Sequence, residues 1–177
     1  MTCKRYFFIL VLLCCHVILS SAASLEPLVT EGVVNAPIEK VWKAFTDKSV
    51  IEQWMVAKTE FDLKIGATWR TSYSKDSNLN DDTAIHHTIL AFDPGRMLSF
   101  RTIKPPKGFP YPAITNTWTV LYLEPVGAAR TRVTARMMGF QDDDQGAKMR
   151  AFFERGNKME LDALVRFFDT GVSPLVR

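Results

Sequence analysis

Beyond residue 23 the chain has no cysteine: Cys3, Cys14 and Cys15 all stand near its start. Residues 24–177 are therefore barred from disulfides and from thiolate metal sites, and they must be held by an ordinary apolar core. Histidine is equally scarce, with only His16, His86 and His87. No two of these are spaced to grip one ion from a helix, and adjacent histidines on a strand point to opposite faces. No metal site and no cofactor are expected. There is no Gly-rich phosphate loop and no Gly-x-Ser-x-Gly elbow, so nucleotide cradling and nucleophilic catalysis lack a named candidate. Asn-x-Ser/Thr glycosylation sites, internal repeats and low-complexity tracts are missing as well.

What stands at the start is a leader pattern. Lys4 and Arg5 precede an apolar run from Tyr6 to Leu19, followed by Ser20-Ser21-Ala22-Ala23. A basic start, a short apolar run and small residues form an export signal, and the run falls short of the roughly 18 to 20 residues that span a bilayer. The expectation is a signal peptide over 1–23, removed after Ala23, and one domain over 24–177 in a periplasmic or secreted location. The alternative is a leader left uncleaved as a membrane tether. Of the 22 basic residues, Lys4 and Arg5 belong to this leader, and the other 20 face 19 acidic ones, a net charge of only +1. No nucleic-acid partner is expected from such a balance.

Along the domain, Leu28 to Val34 reads as a first strand. Pro37 then suits a helix start, and Ile38, Val41, Trp42 and Phe45 follow at helical spacing. Asp47 caps a second short helix through Val50, Ile51, Trp54 and Met55. From Lys58 the period becomes two, with strands predicted over Lys58 to Leu63, Thr68 to Ser74, Thr83 to Phe92, Met97 to Ile103, Asn116 to Leu123 and Arg130 to Met138. Tight turns make successive strands antiparallel. Two connections are long, Lys75 to Asp82 and the proline-rich Lys104 to Ala113, and in an up-and-down meander both lie at one mouth of the sheet.

The last element is a long helix over Asp144 to Asp169, about 39 Å at 1.5 Å per residue. Met149, Phe152, Phe153, Gly156, Met159, Ala163, Leu164, Phe167 and Phe168 share one face, and Arg155, Lys158, Asp162 and Arg166 the other. Asp142, Asp143 and Asp144 precede it as capping residues. Only this helix is large enough to cover the sheet, so the fold class is α+β: a curved antiparallel sheet of about seven strands gripping a C-terminal helix. Gly156 and Glu160 interrupt the apolar stripe. Either they mark a cavity, or Gly156 admits a close strand and Glu160 bends to the edge to meet an arginine.

Several segments recur together in a known pattern: Asn35-Ala36-Pro37-Ile38-Glu39-Lys40-Val41-Trp42 onward to Asp47, Trp54-Met55, Asp62 to Gly66, Leu90 to Leu98, and Thr131 to Thr134 with Gly139-Phe140. On these residues the chain resembles the START-like (SRPBCC) superfamily, in the branch named after the activator of the heat-shock protein 90 ATPase. The resemblance implies the helix-grip fold and an internal pocket that often takes an apolar small molecule. It implies no single reaction, since lipid carriers, hormone receptors, polyketide cyclases and chaperone activators share the superfamily. Two positions depart from the branch pattern: Asn157 stands where Trp often follows the helix glycine, and Met137 where His often precedes Gly139 by two. Both alter the pocket wall, and a leader would separate the chain from any cytosolic chaperone.

The resulting expectation is a binding protein for a hydrophobic or amphipathic small molecule, held beneath the Lys104 to Ala113 loop. The expected ligand-contacting residues are Trp69, Tyr73, His86, Phe100, Phe109, Leu121, Met137, Gly156, Asn157 and Glu160. Trp69 and Tyr73 share a strand face, and the family register places Trp69, Phe100, Leu121 and Met137 inward. Alternation taken back from Leu90 and Phe92 turns His86 inward and His87 outward; His86 then serves a ligand oxygen or Glu160, or is simply a bonded rim histidine. One alternative is a polyketide cyclase or dehydratase with Glu160 and His86 as acid and base. Another is an interaction module or dimer using Trp118 and Tyr122 on the outer sheet face, beside Arg132 and Arg136.

Overall fold

A computed structural model describes residues 24–176, and the proposed leader, 1–23, lies outside the described residues. The elements run β1 (Leu28–Val34), α1 (Ile38–Thr46), α2 (Lys48–Trp54), β2 (Lys58–Glu60), β3 (Thr68–Ser72), β4 (Ile85–Asp93), β5 (Met97–Lys104), a 3-10 turn (Pro112–Asn116), β6 (Trp118–Val126), β7 (Arg130–Met138) and α3 (Asp144–Thr170). Seven strands form one antiparallel sheet in the order β1-β7-β6-β5-β4-β3-β2. This is the expected α+β helix-grip architecture. β2 is shorter than predicted, and β6 begins two residues later and runs on to Val126, because Pro112–Asn116 winds into the 3-10 turn.

Helix ends follow the local chemistry. The Asp47 carboxylate accepts from Ser49 N at 2.9 Å and caps α2. Asp143 accepts from Gly146 N at 2.7 Å and caps α3, so the acidic run is used for capping. α3 stops at Gly171, whose φ of 75° is the left-handed conformation that glycine adopts without a Cβ penalty.

Packing falls into two apolar clusters. One gathers Val41, Phe45, Ile51 and Trp54 of α1 and α2 with Trp69, Ile89, Leu98, Leu123, Val133 and the α3 residue Leu164. There Trp54 Nε1 donates to Ala44 O at 2.7 Å, and its ring meets Phe45 edge-on at 5.4 Å. The other gathers Leu28, Ile114, Met137, Phe140 and Met149 near the start of α3, with Phe109, Tyr111 and Phe153 against it. The long connections meet at one mouth, as the meander requires: Lys107 N donates to Asp82 O at 2.7 Å, and the two side chains pair at 3.2 Å.

Close approach of helix to sheet occurs at Gly32 on β1, where an added Cβ would lie 2.9 Å from Leu161 Cδ2. The β7–α3 junction is tighter still. Gly139 holds a φ of +88°, and an added Cβ would fall 2.5 Å from the Asn116 carbonyl oxygen. Gly139→Ala is therefore expected to cost on the order of 2 kcal/mol of stability, read as a lower urea midpoint at unchanged slope; an unchanged midpoint would show that the junction adapts freely.

Candidate functional site

Away from the Gly32–Leu161 contact at the β1 edge, α3 and the sheet stand apart, and a cavity of about 700 Å³ remains between them. Gly156 opens onto it, and a Cβ added there meets nothing within 4 Å. The close-approach reading of Gly156 is thereby excluded, since Gly32 performs that task. Phe152, Phe153, Met159 and Leu161 of α3 line the same space. Phe152 and Met159 stay 37% and 55% exposed although they belong to the apolar face of the helix, and Met159 also borders an outer groove beside Lys158 and Asp162.

The sheet supplies the floor. Trp69 is buried on β3, with its Nε1 donating to Thr59 Oγ1 at 2.9 Å, and Thr59 in turn donating to Arg70 O at 2.8 Å. Its ring meets Phe61 and Phe100 edge-on at 5.3 and 5.2 Å. Leu121 and Met137 continue this wall. Phe109, carried by the proline-rich loop, forms part of the roof by packing on Tyr111 at 5.9 Å and Phe152 at 5.7 Å. Tyr73, Asn157 and Glu160 also face in. All the expected ligand-contacting residues except His86 line this one cavity.

His86 is the correction. Its Nε2 bonds the Leu79 carbonyl at 2.9 Å, a structural tie to the β3–β4 loop, while His87 faces the cavity. The cause is a β-bulge in β4 between Ile89 and Ala91. Phe92 packs inward and Ile89 is buried, but Leu90 between them is 37% exposed, so the inside-outside parity slips by one across the bulge. Counting back from Phe92 therefore assigns the wrong histidine. The cyclase alternative that paired Glu160 with His86 loses its base for the same reason. His87 packs on Trp69 at 5.1 Å and on Phe100 at 5.5 Å, and Thr102 Oγ1 meets its Nδ1 at 3.2 Å, leaving Nε2 for an occupant. Burial, reinforced by the neighbouring His86, pushes its pKa down from 6.5 to about 4, so it is neutral at pH 7. Only the bulge hides it, and a bulge leaves no composition signal in β4.

Among the described residues Glu160 is the single carboxyl on the lining, and no Lys or Arg of them joins it there. The expected arginine partner at the edge is not among its contacts, and no ion pair of the described residues includes it. Burial pushes its pKa up from 4.5 to about 7, with the nearby Tyr73 hydroxyl pulling the other way. Among the described residues no group of three His, Asp or Glu is placed to hold a metal ion. On the outer face, Trp118 and Tyr122 are 38% and 42% exposed. Across β6 and β7, Val120 faces Arg136 and Glu124 faces Arg132, which pairs with Glu31 at 3.5 Å and Glu124 at 3.4 Å.

The sequence pattern of the Activator of Hsp90 ATPase homolog 1-like proteins matches residues 35–169. A comparison with curated proteins finds no match. Among solved structures, the protein MLL2253 from Mesorhizobium loti is similar at TM-score 0.63 and 21% identity, over 81% of this chain and 96% of that one. CalU16 from Micromonospora echinospora is similar at TM-score 0.60 and 22% identity, over 84% and 77%. The Aha1 dimer from Colwellia psychrerythraea is similar at TM-score 0.64 and 14% identity, over 83% and 98%. These likenesses are of fold.

Glu160 carries a stability signature with a definite sign. Below pH 4.5 it is protonated folded and unfolded; between 4.5 and about 7 the unfolded chain ionises first, and stability is lost as pH rises. His87 acts oppositely, losing stability as pH falls from 6.5 toward 4. The two slopes overlap, so the difference between Glu160→Gln and wild type isolates the carboxyl. That difference is expected to grow from near zero at acid pH to on the order of 2 kcal/mol in favour of the variant above neutrality. Urea unfolding across that range checks it, and a difference independent of pH would refute it.

Proposed function

The chain belongs to the Activator of Hsp90 ATPase homolog 1-like family, and from that premise we propose that it is an exported binding protein for a hydrophobic or amphipathic small molecule. The single observation that carries this reading is the cavity of about 700 Å³ between α3 and the sheet. Its size suits a small organic ligand, and its walls are mainly aromatic and aliphatic with a few convergent polar groups. Export rests on the leader pattern of residues 1–23.

Physical economy supports binding over simple packing. A gap lined by Trp69, Phe100, Phe109, Leu121, Met137 and Phe152 forfeits dispersion contacts and leaves apolar surface wet. Filling it returns about 25 cal/mol for each Å² of apolar area removed from water. Gly156 in mid-helix adds to the cost, since glycine there is roughly 0.5–1 kcal/mol worse than alanine. Space kept open at that position is an arrangement for an occupant. The Asn157 and Met137 departures lie on the same lining, so the occupant is set by this chain's own residues.

The test is to close the cavity from the helix. Gly156→Phe is expected to keep or raise the melting temperature, because it removes a helix glycine and fills empty space, while weakening an environment-sensitive apolar dye by about tenfold or more, some 1.4 kcal/mol. Native mass spectrometry of protein recovered from its own compartment supplies the second readout. An empty cavity there, with no dye bound by wild type, would remove the binding reading.

A further inference from the structure

The lining carries its charge on one side only. Among the described residues Glu160 is its single carboxyl, no Lys or Arg joins it, and the other titratable groups are Tyr73 and His87. His87 is held neutral by burial. The cations nearest in sequence sit on the opposite face of α3, where Lys158 is committed to Asp162 at 2.7 Å. A carboxylate placed in an apolar cavity with no internal counter-ion is costly, and an occupant that brings the counter-ion offsets that cost.

Resting on the binding reading above, we infer that the occupant is an amphiphile with a protonated amine, its ammonium set against Glu160 and its apolar body against Trp69, Phe100 and Phe109. Tyr73 shares this lining, and its nearby hydroxyl favours the ionised form of the carboxyl that an ammonium needs. Aromatic rings on the walls favour a cation further, since an ammonium is attracted to their faces. An anionic amphiphile such as a fatty acid meets the reverse situation, with a carboxylate brought beside Glu160 and no Lys or Arg on the lining to relieve the repulsion.

Three ligands of one chain length separate the cases: decylamine, decanol and decanoate, each titrated below its micelle concentration at about pH 8 by displacement of a neutral dye. Wild type is expected to bind decylamine about tenfold more tightly than decanol, with decanoate weakest. In Glu160→Gln the amine should lose that advantage and decanoate should gain. Decanoate equal to or tighter than decylamine in wild type, or an amine advantage that persists in Glu160→Gln, overturns the inference while leaving the cavity a binding site. Failure of the dye and of all three ligands to bind removes the binding reading itself, and the inference with it. The wild-type series decides the matter even if the variant folds poorly.

Discussion

The contact of Leu161 with Gly32 decides the layout of this protein. It seats the long helix against β1, at one edge of the sheet, where the missing side chain lets the helix come close. A helix held there, with Met149 in one apolar cluster and Leu164 in the other, bridges the curved sheet instead of lying flat on it. The cavity is the space beneath the bridge.

Other features follow from that suspended helix. Residues of its apolar face are divided between true burial and the cavity: Met149, Ala163 and Leu164 are covered, whereas Phe152, Met159 and Gly156 front open space. Glu160 is tolerated in the stripe because it faces this space and can keep its proton near neutral pH. The proline-rich loop, tied to the β3–β4 connection through Lys107 and Asp82, brings Phe109 over the mouth. Prolines restrict the loop's backbone before any occupant arrives, which lowers the ordering cost of binding.

The chain's own signals made much of this legible. Switches of hydrophobic period from 3.6 to two and back mark both helix regions and the strands, and Asp47, Asp143 and Gly171 mark helix ends through local hydrogen bonds or backbone sterics. The interrupted stripe at Gly156 and Glu160 pointed to the cavity, whereas Trp69, Phe100, Leu121 and Met137 were placed inward by the register that the family resemblance implies, and Tyr73 by alternation from Trp69. His86 was misplaced because one extra residue near Leu90 reverses alternation, and Ile89, Leu90 and Ala91 are all apolar enough to suit either side.

The sequence by itself therefore determined the antiparallel meander, the gripped helix and the absence of thiol chemistry beyond residue 23, and through the family resemblance it indicated most of the aromatic wall. The meander, the helix and the missing thiols depend on short-range periodicity, capping and composition, which a linear string records directly. Tertiary structure alone decided that Gly32 and not Gly156 is the point of close approach, that His87 and not His86 faces inward, and that Glu160 has no cationic partner among the described residues. Each depends on which atoms from distant segments share a volume, a property of register and crossing geometry that no local pattern encodes.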